Sequence, residues 1–144
     1  MKKIKHKVQV VVYHQELKSF LFLRTNKKRG QFWQNITGGV KKKYESFIDG
    51  AIREISEEIN YQADEEELID LDLEYEFLNR LHQACIERVY LLIVSKKWKL
   101  KIDSREHDKF EWISKSKLKN KINLIKHPSN QDAILKSYLL LALP

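Results

Sequence analysis

Residues 38–60 constrain the fold more than any other stretch. Glycine is scarce, four in 144 residues, yet Gly30, Gly38 and Gly39 fall within ten positions. Gly38-Gly39 ends an extended segment and precedes a loop and a helix; glycine there allows φ > 0 and close backbone approach. The helix is expected over Ser46–Asn60. At roughly 100° per residue, Ile48, Ile52, Ile55 and Ile59 fall within about 60° of one another and make a narrow apolar stripe. Glu54, Glu57 and Glu58 share a different face, spaced i, i+3, i+4. Carboxylates so placed repel, at a cost of a few tenths of a kcal/mol per exposed pair and more when partly buried. A hard divalent cation removes that penalty, and Mg²⁺ and Mn²⁺ prefer oxygen ligands. On spacing alone a solvated acidic face is the preferred reading.

The rest of the chain mixes strands and helices without a βαβ rhythm. Val8–His14 and Ser19–Arg24 are apolar, β-branched and aromatic, and read as two strands joined near Glu16–Lys18. Thr25–Gly30 is a polar, basic loop, and Phe32–Val40 is short extended structure. Leu68–Leu81 alternates imperfectly and reads as strand; Glu87–Ser95 reads as a buried strand and Lys109–Ile113 as a shorter one. Ser129–Leu141 is a closing helix with Ser129 or Asn130 as its cap. This pattern points to an α+β sandwich, a mixed β-sheet flanked by helices. A length of 144 suits a single domain over 1–144. No apolar run approaches the ~18–20 residues of a membrane span. The basic start, Met1 to Lys7, lacks the apolar follow-on of a signal peptide. One cysteine, Cys85, fits a reducing cytoplasm and is read as a small core residue. The five histidines show no zinc-finger or zincin spacing.

The net charge of +7 suggests a polyanionic partner. It conceals an asymmetry: residues 54–76 hold eleven acids and no Lys or Arg, so the remainder carries +18. A basic body with one acidic band suits a carboxylate-bound metal with a polyphosphate held over it. The surplus Lys and Arg fit a small polyphosphate, or plain solubility, better than a DNA-binding surface.

In order, Gly39, Glu45, Arg53-Glu54-Ile55, Glu57-Glu58 and Tyr61 resemble the Nudix box, Gx5Ex7REUxEExGU with U a bulky apolar residue. The match fixes residue type at eight positions over 23 residues. One position departs: Asn60 stands where the box has glycine. Asn is the next best residue for a left-handed helix end. The resemblance implies a Nudix α/β/α sandwich with a catalytic loop–helix–loop, and hydrolysis of a nucleoside diphosphate linked to a further group. It implies that Glu54, Glu57 and Glu58 ligate one to three Mg²⁺ or Mn²⁺ ions, with Glu54 or a neighbouring carboxylate as the alternative general base. Arg53 then orients the glutamates, Glu45 supports the loop, and Gly38 and Gly39 shape it.

Three further stretches are similar to the bacterial dihydroneopterin triphosphate pyrophosphatase branch, also described as acting on dATP. They are Phe32-Trp33-Gln34-Asn35-Ile36-Thr37-Gly38, Glu106-His107 followed by Phe110-Glu111-Trp112, and Pro128-Ser129-Asn130-Gln131. In that branch a late-loop glutamate joins the metal site, and Glu106 occupies the matching position. A flat pterin or purine needs an aromatic platform. Trp33 and Phe32, beside the glycine turn, are the candidates, while Trp112 reads as core. Arg24 and Lys41 are the candidate phosphate contacts; the Lys41–Lys43 triplet also reads as a solubilising loop. His107 reads as a substrate contact or a loop cap. The expected reaction is Mg²⁺-dependent release of pyrophosphate from dihydroneopterin triphosphate. The alternatives are a nucleotide-pool hydrolase of (d)NTPs or dinucleoside polyphosphates, an RNA 5′-end pyrophosphohydrolase as a minor one, and a Nudix module that binds ligand without catalysis. The intact Arg53, Glu54, Glu57 and Glu58 speak against the last. The expected partner is a small polyphosphorylated substrate, with no membrane, no nucleic acid beyond that minor possibility, and a monomeric or homodimeric chain.

Overall fold

The computed structural model describes residues 3–142; Met1 and Lys2 of the basic start, and 143–144 of the 1–144 span, lie outside them. The strands are β1 (Lys5–His14), β2 (Ser19–Thr25), β3 (Trp33–Gln34), β4 (Ile36–Gly39), β5 (Leu68–Leu78), β6 (Ala84–Val94) and β7 (His107–Ser114). The helices are α1 (Phe47–Ile59), α2 (Leu118–Lys121) and α3 (Pro128–Ala142). The expected α+β sandwich is what forms, with a mixed sheet between α1 and α3.

β1 organises the sheet. Along its whole length it pairs in parallel with β6, from Lys5↔Cys85 to His14↔Val94. Its other edge is divided. Val10 to Lys7 pair with Ile36 to Gly39 of β4, while Tyr13 and His14 pair with Phe20 and Ser19 of β2. β2 in turn carries β3 and β7, and β5 lies outside β6. β1 therefore delivers both Gly38-Gly39 and, through β2, the start of β7 to one end of the sheet.

Alternation along β1 divides the core. Val8, Val10 and Val12 face α1 and pack with Ala51, Ile55 and Ile59. Val11 and Tyr13 face the other way, onto Ile125, Ala133 and Ile134 around α3. The helix stripe shifts slightly from expectation: Ala51, Ile55 and Ile59 are fully buried, while Ile48 and Ile52 are only partly covered.

Several boundaries move. β1 begins at Lys5 rather than Val8, because backbone pairing with β6 does not need apolar side chains. β6 begins at Ala84 and β7 at His107, earlier than expected. β5 stops at Leu78, where Asn79 closes a turn by accepting from the Leu81 and Gln83 amides. α3 has Pro128 in its first turn, and the amides of Asn130 and Gln131 donate to the His127 carbonyl. Neither Ser129 nor Asn130 is therefore its cap; the Asn130 side chain instead accepts from the Asn35 amide at 2.9 Å. Proline fits there because a first-turn N–H has no helical partner. α2 lies where the sequence pattern predicts no element. Cys85 is buried, as expected of a small core residue.

Candidate active site

Both ends of α1 are fixed locally. Ser46 accepts from the Asp49 amide and Asp49 returns a bond to Ser46, a capping box. Asn60 ends the helix at φ 61°, ψ 31°, the left-handed conformation expected of it. Between them the helix offers its glutamates to the end of the sheet.

Arg53 ties the loop to those glutamates. Its Nε donates to Glu45 Oε2 at 2.7 Å, and its Nη1 donates to Glu54 Oε1 at 3.0 Å and Glu57 Oε2 at 3.2 Å. Its Nη2 reaches the Gly39 carbonyl at 2.6 Å and Glu45 Oε1 at 3.1 Å. Glu45 Oε1 also accepts from the Lys41 amide at 2.8 Å. One guanidinium therefore braces the β4 end, the loop and two glutamates. The Arg53 bond holds the Glu45 carboxyl below the ordinary glutamate range. Glu45 first, then Glu54, raise the Arg53 guanidinium further above its already high value.

Gly38 is needed for proximity. A Cβ on it would lie 2.0 Å from Glu54 Cδ, so the Glu54 carboxylate occupies the space a side chain would fill. The expectation of φ > 0 at the glycine pair is corrected: Gly30 has the positive φ, at 111°, and a Cβ on Gly39 would meet nothing within 4 Å. Gly38-Gly39 continue β4 as extended strand, which needs no left-handed backbone.

The solvated-face alternative fails for two of the three glutamates. Glu58 is 1% exposed and Glu54 9%; Glu57 stands in solvent. Burial pushes the Glu58 carboxyl well up, with Glu106 and Glu54 adding to it. Burial also raises Glu54, opposed by Arg53 and reinforced by Glu57 and Glu106. Both Glu58 oxygens are buried without a hydrogen-bond partner among the described residues.

Glu58 faces the start of β7. One ligand atom each from Glu58, Glu106 and His107 lie within 4.8 Å of one another. His107 is 1% exposed, with Nδ1 at 3.6 Å from Glu58 Oε1, beyond hydrogen-bond length. Its Nε2 lies 3.1 Å from Gln34 Nε2, so the amide as placed donates to it and leaves the ring proton on Nδ1. Burial lowers the His107 pKa, and Arg29 adds to that. A buried carboxylate with no partner is costly. An oxygen-preferring divalent cation answers it, so Glu58, Glu54, Glu57 and Glu106 fit such an ion. Histidine spacing along the chain gave no hint of this, because Glu58 and His107 meet only through the sheet.

The cavity over these carboxylates holds about 300 Å³ and is lined by Arg29, Glu54, Glu57, Asp103, Arg105 and Glu106. Arg29 reaches Glu106 at 3.3 Å, and Arg105 pairs with Asp103 at 3.0 Å. Arg29, Asp103 and Arg105 were missed in the sequence; each sits in a charged loop with no motif to mark it.

Arg24, Phe32 and Trp33 are not brought into that cavity. Along β3, Gln34 points to His107, so Trp33 faces the α3 side, where it packs with that half of the core. Arg24 lies over the Trp33 ring at 6.0 Å and pairs with Asp108 at 2.8 Å. Phe32 meets His127 edge-on at 5.2 Å, with Lys126 over its ring at 4.6 Å. These residues form a second, aromatic and cationic patch behind the start of β7. Trp112 packs on the α1-side core with Trp98 and His14, as expected. Lys41 lines a separate groove.

The fold is shared with the E. coli dihydroneopterin triphosphate pyrophosphohydrolase (26% identity, TM-score 0.74, covering 96% of this chain and 99% of that one). It is shared also with a NUDIX hydrolase from Listeria monocytogenes (21%, TM-score 0.78, 94% and 93%). The C. elegans Ap4A hydrolase is similar as well (19%, TM-score 0.75, 96% and 98%). No curated protein matches the sequence significantly. The NUDIX domain family matches residues 4–137. With the box braced as described and nearly the whole described chain matched, this protein belongs to the NUDIX family and is a Nudix pyrophosphohydrolase.

Proposed function

We propose that the chain releases pyrophosphate from a pterin or purine triphosphate, with dihydroneopterin triphosphate as the leading substrate and Mg²⁺, or Mn²⁺, as the cofactor. The observation that carries the metal-dependent reading is Glu58, buried with both carboxylate oxygens unpartnered beside Glu106 and His107. The likeness over 96% of the chain to an enzyme named for that pterin substrate supports the choice of substrate. We read the protein as one domain over 1–144, working in the cytoplasm as a monomer or homodimer.

Glu57, Glu58 and Glu106 would hold the cation, which leaves Glu54 for the proton. When bound, it neutralises phosphate charge and activates a water for in-line attack on phosphorus. The chain's own residues do the rest. Arg53 holds Glu54 and Glu57 by hydrogen bonds from the same nitrogen, Nη1. Glu54, raised by burial, takes the proton as the new P–O bond forms and the bridging P–O bond breaks. Arg29 and Arg105, lining the same cavity, bind phosphate oxygens. Gly38 leaves room for the Glu54 carboxylate beside the phosphates.

Glu57→Gln and Glu58→Gln should each lower kcat by about a hundredfold or more, measured by pyrophosphate release, with Tm in EDTA not reduced; near-normal turnover in both rejects the mechanism. The substrate is decided by kcat/KM for dihydroneopterin triphosphate against the four dNTPs and a diadenosine polyphosphate, with Mg²⁺ and with Mn²⁺. Preference for any nucleotide over the pterin rejects the pterin.

A further inference from the structure

Among the described residues, four buried side-chain atoms lack a hydrogen-bond partner: Asn35 Oδ1, Glu58 Oε1, Glu58 Oε2 and His107 Nδ1. Asn35 is otherwise held, because its Nδ2 donates to Gln9 Oε1 at 2.8 Å. The other three atoms meet at one place. His107 Nδ1 stands 3.6 Å from Glu58 Oε1, too far for a hydrogen bond, and both side chains are 1% exposed. Neither group satisfies the other, and bulk solvent pairs with neither. A carboxylate and a ring nitrogen buried side by side and unpaired are costly unless a third group joins them.

The donors around that gap define the third group. One ligand atom each from Glu58, Glu106 and His107 lie within 4.8 Å of one another. Two ligands of one small divalent ion, each bonded at ~2.1 Å, stand ~3–4.2 Å apart, so the three atoms are close to coordinating separation. The far side of the ring has what a metal-bound imidazole needs. His107 Nε2 lies 3.1 Å from the side-chain amide of Gln34, itself buried. Turned half a revolution, that amide presents Oε1 in the same place and accepts from Nε2–H, which leaves a bare lone pair on Nδ1. A carbonyl or carboxylate on the outer nitrogen is what orients histidines that bind metals.

We propose that His107 Nδ1 is a direct nitrogen ligand of the ion held by Glu58 and Glu106, and that this nitrogen makes the site bind transition ions such as Co²⁺ and Mn²⁺ more tightly than Mg²⁺. Imidazole suits first-row transition ions, whereas Mg²⁺ keeps to oxygen ligands. The inference rests on the metal-dependent reading above and adds to it a ligand and a selectivity. Gln34 is then a positioning residue, acting on the ion through the ring.

Pulsed electron paramagnetic resonance of the Mn²⁺-loaded protein reads the ligation directly. Labelling histidine alone with ¹⁵N should replace the ¹⁴N modulation of a bound imidazole by a ¹⁵N coupling, and His107→Gln should remove either signal. Titration calorimetry of the metal-free protein gives the selectivity. His107→Gln should bind Co²⁺ about tenfold or more weakly and change Mg²⁺ by less than about threefold, because the amide oxygen still serves a hard ion. Gln34→Leu, which removes the outer partner, should weaken Co²⁺ by about tenfold. Mn²⁺ bound without a histidine nitrogen coupling overturns the proposal and leaves the carboxylate reading standing. So does an equal loss of Co²⁺ and Mg²⁺ in His107→Gln, which marks a ring that only packs beside Glu58. Failure of the wild type to bind any of these ions removes the metal-dependent reading together with the proposal. The ¹⁵N measurement uses the unsubstituted chain, so it decides the ligand even where His107→Gln does not fold.

Discussion

Glu54 and Gly38 have to be considered together, because the space of one is made by the absence of the other's side chain. Glu54 is held from one side by Arg53 and from the other by the β4 backbone, with no room for a Cβ at Gly38. The contact would be with a carboxylate whose position is already set, so Gly38→Ala must move Glu54 or the strand. The expected outcome is a fall in kcat of about a hundredfold, with the far-UV spectrum preserved. Gly39→Ala is the control: its Cβ meets open space, and its carbonyl still accepts from Arg53, so activity should stay within about twofold. Equal loss in both variants, measured by pyrophosphate release, would show that backbone freedom rather than room for Glu54 is what the glycines supply. His107 teaches a related lesson about residues. Its burial against Gln34 and Glu58 depends on three segments far apart in the chain, and no local spacing carries that information.

At the scale of elements, α1 was legible because its signals are local. The Ser46–Asp49 cap, the apolar stripe and Asn60 all act within one or two turns, and the helix ends where those signals place its ends. The sheet was legible in its strands and not in its edges. Lys5 and Lys7 look wrong for a strand, yet ten residues of β1 pair with β6 because the pairing uses backbone groups alone. The cavity arginines were illegible for the opposite reason: Arg29 and Arg105 are ordinary loop residues until β2 and β7 bring their loops together. Asn60 gives an element-scale prediction. An L-residue in the left-handed region is strained by about 1–2 kcal/mol, less for Asn. Glycine removes that strain but raises the conformational entropy of the unfolded chain by a comparable 0.4–1 kcal/mol, roughly. Asn60→Gly should therefore alter stability by no more than about 0.5 kcal/mol, while Asn60→Ala should cost about 1 kcal/mol. Urea melts of the two variants check this. A large gain for glycine would mean that Asn60 is a defect in the box rather than an equivalent helix stop.

For the whole molecule, the acidic band from 54 to 76 resolves into groups with opposite effects on stability. Glu67 accepts from Tyr61 and Ser95 and lies beside Lys96, and its pKa falls from 4.5 to about 2 despite burial. A lowered acid stabilises the fold above its unfolded value, and that contribution disappears as pH falls from about 4.5 toward 2. Glu54, Glu58 and Glu87 are shifted the other way, each chiefly by burial. Their folded forms hold the proton more tightly, so they favour the fold below about 4.5 and oppose it progressively as pH rises through their raised values. Glu87 is eased by Gln9, whose Nε2 donates to it at 2.9 Å, whereas Glu58 has no such partner. A divalent cation binds the ionised form of Glu58 and so acts only where the proton has left. The Tm difference between Mg²⁺ and EDTA should therefore be near zero at pH 4.5 and widen steadily toward pH 8. With the ion at a hundredfold its Kd the stabilisation is about 2.7 kcal/mol, or roughly 5–10 °C for a chain of this length. Glu58→Gln should abolish the difference and, in EDTA at neutral pH, should melt above the wild type because it removes a buried charge. Differential scanning fluorimetry across that pH range measures both effects. A Mg²⁺ shift that is independent of pH, or one that survives Glu58→Gln, would move the ion away from Glu58 and onto the exposed carboxylates of the band.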